Sequence, residues 1–137
     1  MVENRLARKM KLQPGMRIAV VNAPAGWSDK LHPLPENVQV LTDLQGEFDL
    51  ILLFSHNQAE LSARILPAVQ ALKPISLIWI AFPKGTSKLQ TDLTRDRGWD
   101  VVQQADLKWI NLISLDDDWS GFALRPYKPG EKRQSFR

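Results

Sequence analysis

Leu12-Gln13-Pro14-Gly15-Met16-Arg17-Ile18-Ala19-Val20-Val21-Asn22-Ala23-Pro24-Ala25-Gly26-Trp27 runs from a turn, through a strand, into a loop. Pro14-Gly15 is a turn dipeptide. Met16 to Val21 is an almost unbroken apolar run, the pattern of a strand covered on both faces. In α/β sheets that bind small ligands, the loop after such a strand carries glycines, whose freedom lets the backbone approach the ligand closely. Here that loop reads Asn22-Ala23-Pro24-Ala25-Gly26-Trp27. Pro24 fixes its own φ and has no N–H to offer. The stretch predicts a ligand-binding scaffold without the usual cradle.

Further elements follow on both sides. Glu3 to Leu12 reads as a short amphipathic helix with Leu6 and Met10 on its apolar side. Residues 22–37 are a proline-rich loop with room for one helical turn near Ser28–Leu31. Val38–Leu41 is a short strand ending at Thr42-Asp43, Phe48–Phe54 is the most apolar strand, and Ser76–Phe82 is a fourth, stopped by Pro83. Asn57 and Glu60 have capping-box spacing. The helix they start places Leu61, Ile65, Val69 and Leu72 toward the sheet, is kinked at Pro67 and is closed by Lys73-Pro74. A second helix is expected over Asp92–Leu107, with Gly98 as its weak point. Lys108–Leu115 alternates, which puts Trp109, Asn111, Ile113 and Leu115 on one side; Asp116–Gly121 turns and Phe122–Arg125 returns.

Right-handed crossovers between these elements give an open sheet in the order 2-1-3-4-6-5, mostly parallel, with a C-terminal antiparallel hairpin. Winding reverses between the first and third strands, and ligands of such sheets sit beyond the carboxyl ends of the strands at that reversal. The expected crevice is lined by Asn22, Ala23, Pro24, Trp27, Asp43, Ser55, His56 and Lys84. Residues 1–125 form one domain, and the basic segment 126–137 is expected to be a flexible tail.

Composition bounds the chemistry. At 137 residues with 44% hydrophobic and 24% charged residues, the chain is an ordinary single globular domain. No segment has the length of a membrane span, and the basic start is not followed by the apolar stretch of a signal peptide. Zero cysteines exclude disulfides, thiolate nucleophiles and cysteine zinc sites, which suits the cytoplasm. Residues 1–17 and 125–137 each carry a net +4 while the segment between them carries −5. Basic ends attract anionic partners, but their only aromatic residues are Tyr127 and Phe136, so a nucleic-acid surface is not expected.

Other chemistries find little support. Two histidines, His32 and His56, and a plain Asp116-Asp117-Asp118 run do not make a metal site. Ser55 and His56 are adjacent, so their side chains diverge, and no Gly-x-Ser-x-Gly elbow is present. Lys84-Gly85-Thr86-Ser87-Lys88 lacks the leading glycine and the residue order of a phosphate loop. Asp92, Arg95, Asp96 and Arg97 are read as surface ion pairs, Trp79, Trp109 and Trp119 as packing, and Trp27 as the tryptophan placed to touch a ligand. No acid–base pair stands out.

Leu-Gln-Pro-Gly-Met-Arg-Ile (12–18), Asn-Ala-Pro (22–24), Leu-Lys-Pro (72–74), Ile-Trp-Ile-Ala-Phe-Pro-Lys (78–84), Thr-Asp-Leu-Thr-Arg-Asp (91–96) and Asp-Trp-Ser-Gly (118–121) resemble a small family of uncharacterised bacterial domains. That family is related in fold to class I S-adenosylmethionine-dependent methyltransferases. The resemblance implies a three-layer α/β/α, Rossmann-like sheet that lacks one strand–helix unit after the second strand. It places Asp43 near the acidic residue that grips the cofactor ribose, while Asn-Ala-Pro stands where Gly-x-Gly-x-Gly belongs. The expectation is a non-catalytic binding or interaction module that takes a small molecule or protein, with no cofactor and with self-association through the terminal hairpin as a further option. The alternative is an enzyme that binds S-adenosylmethionine or a nucleotide, with Asp43 on the ribose and Asn22 near the polar end.

Overall fold

A computed structural model describes residues 4–85 and 91–132. Six strands form one sheet: β1 (Arg17–Val21), β2 (Gln39–Leu41), β3 (Phe48–Phe54), β4 (Leu72–Pro83), β5 (Leu107–Ser114) and β6 (Trp119–Pro126). Their order is β2-β1-β3-β4-β6-β5, as the crossovers require. The first four strands are parallel, and β6 runs antiparallel to both β4 and β5. The winding reversal falls between β1 and β3.

The alternation of each strand divides two cores. Ala19, Val21, Ile51, Leu53, Ile78, Ile80, Phe82 and Leu124 pack under α2 (Gln58–Gln70) and α3 (Asp100–Gln104). Ile18, Val20, Leu50, Leu52, Phe54, Trp79, Ala81 and Ala123 pack under α1 (Arg5–Lys9) and a 3-10 turn at Trp27–Leu31. Trp79 Nε1 donates to the Met10 carbonyl at 3.0 Å and ties the end of α1 to the sheet. Three layers result, with one face lightly covered.

Several elements differ from their sequence patterns. Among the described residues α1 is capped by Asn4 and ends at Lys9, because Lys11 takes a left-handed φ of 70°. Helix α2 closes at Ala71, so Lys73 and Pro74 lie within β4, where Phe48 pairs with Leu72 and Lys73 Nζ reaches Asp49 at 3.2 Å. The helix expected over Asp92–Leu107 shrinks to Asp100–Gln104. Gly98 has φ +98°, which no right-handed helix contains, and Thr94 pairs with Arg97 in a tight turn before it. In β5 a bulge between Trp109 and Asn111 reverses the alternation: Trp109 packs under α3, whereas Ile113 and Leu115 pack on the opposite face. The four residues of that pattern are therefore not on one side.

Beyond β6, Glu131 accepts from Arg125 (2.7 and 2.9 Å) and Lys108 (2.6 Å). These cations hold its carboxyl far below the usual carboxylate range. Residues 133–137 of the expected tail, and Phe136 with them, lie outside the described residues.

Candidate functional site

The carboxyl ends of β1 and β3 meet at the winding reversal, and there the chain joins them with side chains. Asn22 leaves β1 in the left-handed region, φ 61°, a conformation that asparagine tolerates better than most residues. Its amide Nδ2 donates to the Phe54 carbonyl at 3.1 Å and to Glu60 Oε1 at 2.9 Å. The same carboxylate oxygen accepts from the His56 backbone N–H and lies 2.9 Å from His56 Nδ1. Asn57 Oδ1 caps α2 by accepting from the Glu60 N–H at 2.8 Å. The cap is where the sequence places it, but the glutamate reaches back to His56 and across to β1 instead of to Asn57.

His56 and Glu60 form a hydrogen-bonded pair that the sequence pattern did not disclose. Their side chains are 42% and 33% exposed, so both remain open to a ligand. Burial works against ionisation of Glu60, but the His56 N–H, its imidazole and the Asn22 amide outweigh it, and the carboxyl is held below its usual range. Asp49 is lowered as well, chiefly by the Arg17 backbone N–H. A carboxyl lowered by folding stabilises the fold above its unfolded-state range and loses that contribution as the pH falls through the folded value. Glu60→Gln should therefore lower the urea midpoint at about pH 7 and narrow the difference between about pH 7 and about pH 4. An unchanged pH dependence in that variant would show that the junction carries no charge.

The remaining crevice residues are placed as follows. Trp27 is 3% exposed: its ring meets Phe54 edge-on at 4.9 Å and its Nε1 donates to Asp116 Oδ2 at 2.9 Å. Phe54 in turn meets Trp119, and Trp119 meets His56, at 4.9 and 5.0 Å, so four rings form a continuous row. Asp116 Oδ1 accepts from the N–H groups of Asp118 and Trp119, which gives this aspartate a structural role in the hairpin turn. Ser55 is fully buried, and among the described residues its hydroxyl has no hydrogen-bond partner. Ala23 is half-buried and Pro24 is exposed at the start of the loop. Asp43 is exposed beyond β2 and accepts from Gln45 at 3.1 Å. Lys84 turns to the hairpin, donating from its Nζ to Ser114 Oγ at 2.6 Å. Thr86, Ser87 and Lys88, of the loop read as lacking the order of a phosphate site, are outside the described residues. The structure thus brings Asn22 and His56 together through Glu60 and leaves Asp43 and Lys84 apart.

Solved structures that share this architecture include methyltransferases. Over 89% of this chain and 76% of the other, the fold matches a ribosomal protein L11 methylase from Lactobacillus delbrueckii subsp. bulgaricus, with a TM-score of 0.58 and 11% identity. A TehB-like SAM-dependent methyltransferase from Corynebacterium glutamicum gives 0.59 and 13%, covering 90% of this chain and 86% of that one. A S-adenosylmethionine-dependent methyltransferase from Clostridium acetobutylicum gives 0.60 and 8%, covering 91% and 92%. The chain has a methyltransferase-like fold. No protein-family model and no curated protein matches it. No helix among the described residues is long and apolar enough to cross a membrane, and no cluster of three metal-ligating side chains occurs among them.

An adenosyl ligand at this edge needs an acceptor for its ribose and backbone donors for its polar end. Asp43 meets the first need: its carboxylate is exposed just past β2. The loop after β1 meets the second poorly. Pro24 has no N–H, the Trp27 and Asp29 N–H groups donate to Pro24 and Gly26 within the loop, and the Asn22 amide is bound to β3 and α2. The residues offer a carboxylate for the ribose of such a ligand and do not reproduce a phosphate or aminoacyl cradle.

Proposed function

We propose that this methyltransferase-fold chain binds S-adenosylmethionine or a nucleotide at the winding reversal, with Asp43 accepting from the ribose. This is the enzyme alternative of the sequence reading, and the likeness to S-adenosylmethionine-dependent methyltransferases favours it over a non-catalytic module. The observation that carries it is the half-exposed polar group of Asn22, His56 and Glu60 at the carboxyl ends of β1 and β3, where ligands of such sheets bind. In this reading the chain is cytoplasmic and belongs with the small bacterial domains that its motifs resemble. A second reading, a non-catalytic binding or interaction module, is favoured by one feature: the Asn22 amide already bridges the two strand ends.

Calorimetric titration with S-adenosylmethionine, S-adenosylhomocysteine and common nucleotides separates the two. Micromolar binding of one of them is expected, weakened about ten- to a hundredfold in Asp43→Ala by loss of a charge-assisted hydrogen bond of roughly 1.5–3 kcal/mol. Flat heats across the whole set would favour the module.

A further inference from the structure

A cavity lies away from the winding reversal, on the α2/α3 face of the β6–β5 end. It has a volume of about 380 Å³ and is lined by Arg95, Asp96, Gly98, Trp99, Asp100, Gln103, Trp109 and Phe122. It exists because α3 has only five residues, too short to cover the strands beneath it. The volume falls within the range of small-molecule sites.

The chemistry of its walls is specific. Trp99, Trp109 and Phe122 stand close to perpendicular to one another: the interplanar angles are 77° for the two tryptophans, 87° for Trp99 with Phe122 and 77° for Trp109 with Phe122, at centroid separations of 4.4–5.4 Å. Phe82 stacks behind Phe122 at 5.1 Å, 16° from parallel, and fixes that ring. Aromatic faces carry the negative lobe of the ring quadrupole, so a ring face that borders the space attracts a cation that is cheap to desolvate. Asp96 and Asp100, both exposed, add two carboxylates to the lining against the single guanidinium of Arg95, which leaves the cavity with an excess of one negative charge.

We propose that this cavity is a binding site for an organic ammonium cation carrying apolar substituents, such as a quaternary or methylated ammonium group. The aromatic walls take the substituents, and Asp96 and Asp100 balance the charge. A bare ammonium is held less well, because its hydration is stronger. The site is independent of any ligand at the winding reversal.

Choline and its neutral carbon isostere, 3,3-dimethylbutan-1-ol, test this when titrated at low ionic strength and followed by tryptophan emission and calorimetry. Saturable millimolar or tighter binding of choline is expected, at least about tenfold tighter than the isostere, in line with a desolvated cation–π interaction. The double variant Asp96→Asn/Asp100→Asn, which keeps the aromatic walls, should weaken choline severalfold and leave the isostere unchanged. Equal binding of the two probes, no saturation by choline at tens of millimolar, or indifference of choline to the double variant would each overturn the proposal. Trp109→Leu should abolish choline binding, and a far-ultraviolet circular dichroism spectrum that matches the parent confirms that the variant is folded.

Discussion

Phe54→Ala is expected to lower stability by about 3–5 kcal/mol, a large part of what a domain of this size possesses. Phe54 is fully buried at the end of the central strand β3, with Trp27 and Trp119 edge-on at 4.9 Å on either side. Removing its ring leaves a cavity between two tryptophans that are anchored elsewhere, Trp27 by its bond to Asp116 and Trp119 by its strand, so neither moves freely to fill the space. The effect extends to the candidate site, because Trp119 supports the His56 ring. Urea denaturation followed by tryptophan emission reads the loss directly. A midpoint close to the parent's would mean that the aromatic row is not a structural support.

Gly98→Ala is the second change with a large expected cost, about 2–3 kcal/mol. The residue sits at φ +98°, and an added Cβ would lie 2.7 Å from Gln58 Cγ and 2.9 Å from Leu93 Cδ1. Neither neighbour retreats easily. Gln58 is held to Asp92 by two hydrogen bonds, at 2.9 Å from its N–H and 2.8 Å from its amide, and Leu93 is fully buried. The segment Thr91–Gly98 is thereby pressed onto the first turn of α2, and the substitution should release it. Faster amide hydrogen exchange at the start of α2, together with a lower denaturation midpoint, is the expected result. Full protection there in the variant would contradict the close approach.

How much of this was legible in the sequence depends on the range of the contacts involved. The apolar runs of β1, β3 and β4 and the handedness of crossovers determine the strand order, because few other arrangements bury three such strands. The α2 cap is equally local: Asn57 and Glu60 are three residues apart. Local patterns failed where a distant partner decides the outcome. Lys73-Pro74 has the form of a helix stop, yet β4 begins at Leu72 because Phe48 is there to pair with it. A helix was expected from Asp92, but Gln58 and Leu93 leave room at position 98 only for a glycine in a left-handed conformation. The site followed the same rule. Asn22 and His56 were identifiable from their positions after β1 and β3, whereas the Glu60 carboxylate that joins them acts between residues 38 positions apart. The burial of Trp27 was hidden for the same reason, since its partner Asp116 lies 89 positions along the chain.

The extra residue in β5 gives the terminal hairpin a phase change halfway along its outer strand. Before it, Leu107 and Trp109 key into one layer; after it, Ile113 and Leu115 key into the other. The hairpin thus works as a rivet through the end of the sheet, gripping both layers although it is only two strands wide. Inserting or deleting one residue on either side of Ile110 would turn one half inside out, so this strand tolerates changes of length only in twos.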